Sequence, residues 1–251
     1  MIRKSVALAA MSFAALFGGS QAVAAEIKVL ASPGVRGAVS ELAPQFERAT
    51  GHKVVTDFVV IAIIKRRVEA GEPFDIAIPS PELIDDLVRQ GKVAADTRTV
   101  FGRTGLGVAV RQGVPKPDIS TVDAFKRALL NAKSVGHSKE GQTGVNFLIV
   151  LERLGITAEM KPKLKTYEGN QMAEALEKGT EELGVTGMGP VLEMKDVQKL
   201  GGLPPEIQRY VNFSAGVSAN SRESAAARAL LKFMMSSEAS AVAKAKGLER
   251  E

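Results

Sequence analysis

The chain has 251 residues, of which 45% are hydrophobic and 24% are charged, and its formal net charge is +5. This composition provides enough apolar material for a sizeable core and excludes disordered and fibrous structure. The sequence has no cysteine, no tryptophan and two histidines. A disulfide framework, thiolate metal sites and thiol catalysis are therefore excluded, and we expect neither a metal nor another cofactor.

Residues 1–25 have the pattern of a secretory signal peptide. Two basic residues precede an apolar stretch over residues 6–17, and the segment ends in small residues. A membrane anchor is the weaker interpretation, because about a dozen apolar residues fall short of the roughly 20 that span a bilayer. We expect cleavage after Ala24 or Ala25 and a mature protein that works in the periplasm.

The charge of the mature chain does not indicate a nucleic-acid partner. Removal of Arg3 and Lys4 lowers the formal net charge from +5 to +3. The remaining basic residues are interspersed with acidic ones, and the run at residues 65–67 is the longest. Such a distribution is typical of an ordinary solvated surface.

From residue 26 the hydrophobic pattern alternates between strand and helix periods. The predicted strands lie at residues 26–30, 53–58 and 74–78, and the helices between and after them end at Gly51, Gly71 and Gly91. A serine followed by proline at residues 80–81 begins the third helix. This alternation is typical of parallel βαβ units and predicts an α/β fold with helices on both faces of the sheet.

A second α/β set follows. A new strand at residues 105–111 runs into turn formers at 113–117, where we place a domain crossing, and residues 201–205 mark a second break. Between the breaks we predict helices at 121–130, within 141–155 and through Leu176, and strands at 135–136, 164–167 and 183–186. A strand at 210–217 and helices at 221–235 and 237–246 end the chain.

The two breaks predict a two-lobed α/β protein. Lobe 1 comprises residues 26–104 plus 210–251, and lobe 2 comprises residues 105–209. Small molecules bind beyond the carboxyl ends of the strands in open α/β sheets. We therefore expect the ligand between the lobes.

Four segments, in their order, resemble the type 2 periplasmic solute-binding proteins of ABC importers, and among these most closely the molybdate-binding family. They are the opening strand that leads to Ser32, residues 69–78 (EAGEPFDIAI), residues 183–186 (LGVT) and residues 233–239 (FMMSSEA). The resemblance implies the two-lobed periplasmic-binding-protein fold of type 2 with two hinge crossings. It also implies capture of a small anionic ligand by a monomer that docks on a membrane permease.

The resemblance further implies ligand contacts from loops of both lobes. In the family a dehydrated oxyanion is held by backbone N–H groups at helix starts and by hydroxyl groups. The implied ligand-binding residues here are Ser32, Gly34, Val60, Ile61, Ala62, His137, Ser138, Thr143, Met172 and Gly187.

Two positions depart from the family pattern. Residues 60–63 replace a run of small hydroxyl residues and offer only backbone N–H groups, and Gly187 stands where the family has tyrosine. Each lost hydroxyl donor to a buried charge costs roughly 1–3 kcal/mol. The ligand is therefore predicted to be either a molybdate-like oxyanion or a small organic carboxylate whose hydrocarbon part meets an apolar wall.

Several of these residues also have a purely structural interpretation. Ser32 could cap its own helix, residues 60–63 could complete the sheet core, and His137 could be a surface residue rather than a pH-sensitive donor. Arg36 and Lys65 could supply a counter-charge or lie on solvated helix faces.

No catalytic motif accompanies these residues. The sequence has no G-x-S-x-G, no H-E-x-x-H and no clustered histidine and carboxylate. We therefore expect a binding protein rather than an enzyme. Two alternatives stay open: an exported ligand-sensing partner of a membrane receptor, and an enzyme built on the same fold.

Overall fold

The structure is a computed structural model that describes residues 24–139, 141–168 and 171–250. Residues 1–23 of the predicted signal peptide lie outside the described residues. Within the described ranges, no helix is long and apolar enough to cross a membrane.

Strands and helices alternate along most of the chain, as the hydrophobic pattern predicts. The strands are β1 (Glu26–Ala31), β2 (Lys53–Phe58), β3 (Ile76–Ile78), β4 (Thr99–Arg111), β5 (Val135–Ser138), β6 (Leu164–Tyr167), β7 (Leu183–Gly187), β8 (Val197–Gly202) and β9 (Tyr210–Val217). The helices are α1 (Arg36–Thr50), α2 (Ile61–Glu69), α3 (Pro81–Arg89), α4 (Val122–Asn131), α5 (Gln142–Arg153), α6 (Thr157–Met160), α7 (Gln171–Glu177), α8 (Met188–Glu193), α9 (Ser224–Met234) and α10 (Ser237–Ala245).

The first part of the sheet consists of β2, β1, β3 and β9. Strand β1 lies parallel between β2 and β3, with Val29 opposite both Thr56 and Ile76. Strand β9 runs antiparallel to β3. The side chains on one face pack against α1, α9 and α10 in a core cluster that includes Ile27 and Phe213. The α/β fold predicted from the sequence is confirmed.

Strand β4 connects the two parts of the sheet. Its first half, from Thr99 to Gly105, pairs with β9, whereas its second half, from Leu106 onward, pairs with β7 and β8. The strand predicted to begin at Gly105 is therefore the second half of a longer strand that begins at Thr99, and the domain crossing stays a prediction. Glycines and a register shift beside Gly102 interrupt the apolar pattern without ending the strand.

The second part of the sheet places β7, β5 and β6 side by side and parallel, with β8 on the other side of β4. It has a core cluster of its own that includes Val108, Phe125, Phe147 and Val185. This cluster and the one around Phe213 have no residue in common. The exact lobe boundaries stay predictions.

The carboxyl ends of β1, β2 and β3 meet at one edge of the sheet. The Ser32 N–H donates to the Ile78 carbonyl at 2.9 Å, and the Val59 N–H donates to the Ala31 carbonyl at 3.0 Å. These hydrogen bonds extend the strand pairing by a residue and fix the two turns that follow β1 and β2 side by side. This edge is where a ligand is expected in such a sheet.

The resembling segment at residues 69–78 has a structural role, because its Asp75 lies at the opposite edge of the sheet and joins neighbouring elements there. The buried Asp75 carboxylate accepts hydrogen bonds from the Lys28 N–H at 2.8 Å and from the Ser221 hydroxyl at 2.6 Å. It therefore ties β1 and the entry to β3 to the loop that precedes α9.

Candidate functional site

Ser32 follows β1 and faces the site edge. Its side chain makes no capping hydrogen bond to the turn Pro33–Val35 that follows it. The interpretation of Ser32 as a helix cap is therefore wrong, and its hydroxyl is not engaged by its own helix. The residue is 7% exposed, so a hydrogen bond from this hydroxyl to a ligand would be made in a largely dry environment.

Gly34 has a packing reason for being glycine. A Cβ atom at this position would overlap the ring of Phe213 on β9. The turn after β1 therefore packs directly on β9, and any larger residue at position 34 would require the Phe213 ring to move.

The predicted apolar wall at the start of α2 divides between surface and core. Val60 is the residue before the helix and is 39% exposed, and Ala62 is exposed as well. Ile61 and Ile63 are half-buried, and Ile61 packs against a core cluster around Ile64. The two exposed side chains are thus available to a ligand, whereas Ile61 supports the fold.

A row of three hydroxyl groups lies at the carboxyl ends of β5 and β7. The Ser138 and Thr186 hydroxyl oxygens are 2.8 Å apart, and the Thr143 hydroxyl donates to that of Ser138 at 3.4 Å. The loop is tight, because a Cβ atom at Gly144 would overlap the Ser138 carbonyl oxygen. Thr186 was missed from the sequence, although a threonine at the carboxyl end of an apolar strand is a signal for it.

His137 is the last but one residue of β5 and is buried, at 5% exposure, so its interpretation as a surface residue is wrong. Its ring lies 5.7 Å from that of Phe147, and Nδ1 is 3.0 Å from the Ser138 carbonyl oxygen. Burial lowers the pKa of His137 below its usual value, against a smaller opposing effect of that hydrogen bond. The imidazole is therefore neutral at pH 7.

The Met172 side chain belongs to the core. It is 4% exposed and packs on α7 against the strand positions of Gly136 and Gly184. Only its backbone is left for the ligand contact implied at this position.

Gly187 lies beside the hydroxyl row. It precedes α8, and a Cβ atom here would lie 3.4 Å from the Thr143 methyl group. Helix α8 in turn packs against the turn Pro33–Val35 and against α1. Helix α8 therefore joins the two parts of the sheet on the side where Gly187 precedes it and Ser32 precedes the turn.

Four helices begin at these positions, and their first turns share a feature. Helices α1 (with the turn before it), α2, α5 and α8 have neither a capping side chain nor an acidic residue in the first turn. Helices α3, α4 and α10, by contrast, are capped by Ser80, Thr121 and Ser236 and carry an acidic residue in the first turn. Uncompensated N–H groups and positive dipole ends favour an anion.

Neither tyrosine replaces the one that the molybdate-binding family would have at Gly187. The Tyr167 hydroxyl donates to Glu181 at 2.7 Å, and burial together with this hydrogen bond raises its pKa to about 12. The Tyr210 ring lies under the Arg103 guanidinium at 4.2 Å. Across the described ranges, no group of three or more histidine, aspartate or glutamate residues could hold a metal ion.

An α/β sheet in two parts that share β4, with helices that begin at the carboxyl ends of its strands, is the architecture of type 2 solute-binding proteins. The family model described as bacterial extracellular solute-binding protein matches residues 27–249. The chain therefore belongs to this family of ABC-importer solute-binding proteins, close to its molybdate-binding members.

Individual relatives differ in what their names say they bind. An aconitate isomerase from Pseudomonas sp. is 30% identical over 230 residues, which cover 89% of this chain and 87% of the relative. A molybdate-binding protein from Azotobacter vinelandii is 26% identical over 235 residues, 90% of each chain. The substrate-binding domain of a putative molybdenum ABC transporter from Clostridium difficile superposes with a TM-score of 0.75 at 14% identity, covering 91% of this chain and all of that one.

Proposed function

We propose that the protein is a periplasmic receptor that captures a small organic polycarboxylate between lobe 1 and lobe 2 and delivers it to the permease of an ABC importer. The observation that carries the proposal is that four helices, which follow the carboxyl ends of β1, β2, β5 and β7, begin without caps or acidic first turns. A bound anion satisfies the N–H groups and dipole ends that the sequence leaves uncompensated.

The lining of the site favours an organic anion over an inorganic one. The start of α2 presents the exposed side chains of Val60 and Ala62 where hydroxyl donors would suit an oxyanion, and Gly187 presents no side chain. A carboxylate with a hydrocarbon part gains from burying apolar surface there, whereas molybdate does not. The relative named for aconitate, an unsaturated tricarboxylate, supports the same class of ligand.

A binding screen on the exported protein tests the proposal. The full chain, produced with its own leader and purified from the periplasm, also reveals by N-terminal sequencing whether cleavage follows Ala24 or Ala25. After removal of bound ligand, calorimetric titration should detect trans-aconitate, cis-aconitate or citrate. A ligand present at 100 times its Kd should raise the melting temperature by about 5–10 °C.

One hydroxyl deletion localises the binding. Ser32→Ala should weaken carboxylate binding about tenfold, because it removes a hydrogen bond to a charged ligand. Ser120→Ala, in an exposed loop of the second part of the sheet, is the matched control and should have no effect. Tighter binding of molybdate than of every carboxylate would contradict the proposal.

The 30% identical isomerase supports a second candidate, in which the same site interconverts aconitate isomers. This reaction moves a proton between carbon atoms and needs a base. The neutral ring that adjoins the hydroxyl row is that of His137. Proton NMR of cis-aconitate with the protein should then show the trans isomer forming, and His137→Gln should abolish turnover while retaining binding. A spectrum that stays unchanged over days would contradict the isomerase candidate and leave the receptor as the proposed function.

A further inference from the structure

Arg36 is a cation at a position where a helix ordinarily avoids one. It is the first residue of α1, four positions after Ser32. The positive end of the helix dipole lies here, so a neighbouring cation is disfavoured and an acidic residue is preferred. An arginine in this place is stabilised when an anion binds between it and the helix start.

The guanidinium is held in place by an aromatic ring. The Arg36 Cζ atom lies 4.3 Å from the centroid of the Phe58 ring, a distance at which cation–π attraction operates. Phe58 ends β2 and comes two residues before Val60, so the stacked pair stands between the turn after β1 and the start of α2. The ring fixes the plane of the guanidinium and covers one of its faces.

Arg36 has no carboxylate partner at ion-pair distance. Among the described residues it forms no ion pair, whereas two of the three basic residues of α2 do. Lys65 lies 3.7 Å from Glu69 and 3.9 Å from Asp86. Arg67 pairs with Asp57 at 2.8 Å and also with Glu72. Arg36 is thus a cation at this edge whose donors are not taken up by an ion pair, and its planar fork matches a carboxylate in two parallel hydrogen bonds.

We propose that Arg36, stacked on Phe58, is the residue that selects an organic carboxylate over an inorganic oxyanion in this protein. The inference rests on the proposed function, because it names the group that reads one carboxylate of the captured ligand. The ligand's hydrocarbon part then lies toward Val60, and a second carboxylate reaches the helix starts and the hydroxyl row.

Calorimetric titration with trans-aconitate, citrate and molybdate tests the proposal on four proteins. Arg36→Met keeps an unbranched apolar side chain on Phe58 and removes the guanidinium with its charge, and it should weaken carboxylate binding about tenfold or more. Arg36→Lys keeps the charge but loses the fork, so its carboxylate affinity should lie between that of the wild type and that of Arg36→Met. Lys65→Met removes a cation that is already paired on the surface, and its affinity should stay within about twofold of the wild type.

A second readout separates charge recognition from a change of shape. Carboxylate affinity of the wild type should fall as salt is added, and the slope should be smaller in Arg36→Met than in Lys65→Met. Molybdate affinity should change less than carboxylate affinity in Arg36→Met. Equal losses for both ligands, or carboxylate binding by Arg36→Met at wild-type strength, would overturn the role of Arg36 and leave the proposed function standing. A wild-type protein that binds no carboxylate would overturn both.

Discussion

Thr186 shows how a buried residue can act on a ligand that it does not touch. The row Thr143, Ser138 and Thr186 contains three hydroxyl groups and two hydrogen bonds. Thr143 donates to Ser138, whereas the hydrogen between Ser138 and Thr186 can belong to either hydroxyl. When Thr186 donates to Ser138 as well, the Ser138 hydroxyl keeps its own proton for an anion. Thr186, 5% exposed, is therefore a positioning residue.

Replacing Thr186 tests this arrangement. Thr186→Val keeps the shape and removes the hydroxyl, which should weaken carboxylate binding about three- to tenfold because Ser138 loses a fixed partner. Thr186→Ser keeps the hydroxyl and should bind as the wild type does. Titration calorimetry measures the affinities, and thermal melting checks that both variants fold. Wild-type affinity in Thr186→Val would show that ligand binding by the hydroxyl row does not depend on the Thr186 hydroxyl.

At the scale of elements, the sequence predicts the strands and helices whose bounds are set by the local hydrophobic pattern. Strand β6 has the predicted bounds, and α1 ends at the predicted Gly51. Strand β8 was missed because Gly201 and Gly202 read as a break, yet pairing with β4 makes them strand. Helix α8 was missed because it is short and contains proline. These elements depend on partners that are distant in the chain.

The same limit applies to the site. The predicted helix starts place Ser32, Thr143 and Gly187 after the carboxyl ends of strands, and the structure has them there, because glycine and serine between strand and helix are local signals. Thr186 and the stacking of Arg36 on Phe58 could not be predicted, since both depend on which strands are neighbours in the sheet.

Asp75 carries a prediction about how elements are joined. Asp75→Ala leaves the Lys28 N–H and the Ser221 hydroxyl without their acceptor, which should lower the free energy of unfolding by about 2–4 kcal/mol. Ligand affinity should not change, because Asp75 lies at the edge opposite the site.

Urea unfolding measures the loss of stability in Asp75→Ala. Asp96→Ala removes an exposed partner of Arg228 and should leave the midpoint nearly unchanged. A similar midpoint for both variants would contradict the structural role of Asp75.

At the scale of the whole molecule, β4 joins the two parts of the sheet, and a backbone contact holds these parts together beside the site. Gly247, near the end of the chain, lies so close to α8 that a Cβ atom would come within 2.7 Å of the Gly189 nitrogen. Helix α8 also packs on the turn Pro33–Val35. Any group that pushes α8 away from Gly247 therefore also moves Gly187 away from Ser32, without touching the ligand.

Gly247→Ala should for this reason weaken ligand binding several-fold. Gly51→Ala is its matched control, because both glycines have φ of 77° but Gly51 has open space where the methyl group would go. Both variants lose a similar amount of stability from the unfavourable backbone conformation, and only Gly247→Ala separates the two parts.

Because the chain has no cysteine, spin labels at introduced cysteines in place of Glu69 and Lys178 report the separation of the parts by pulsed EPR. The ligand should shorten this distance in the wild type and in Gly51→Ala. In Gly247→Ala the longer distance should persist until the ligand concentration is raised in proportion to the lost affinity. Equal distances with and without ligand in the wild type would mean that the site captures its ligand without closing.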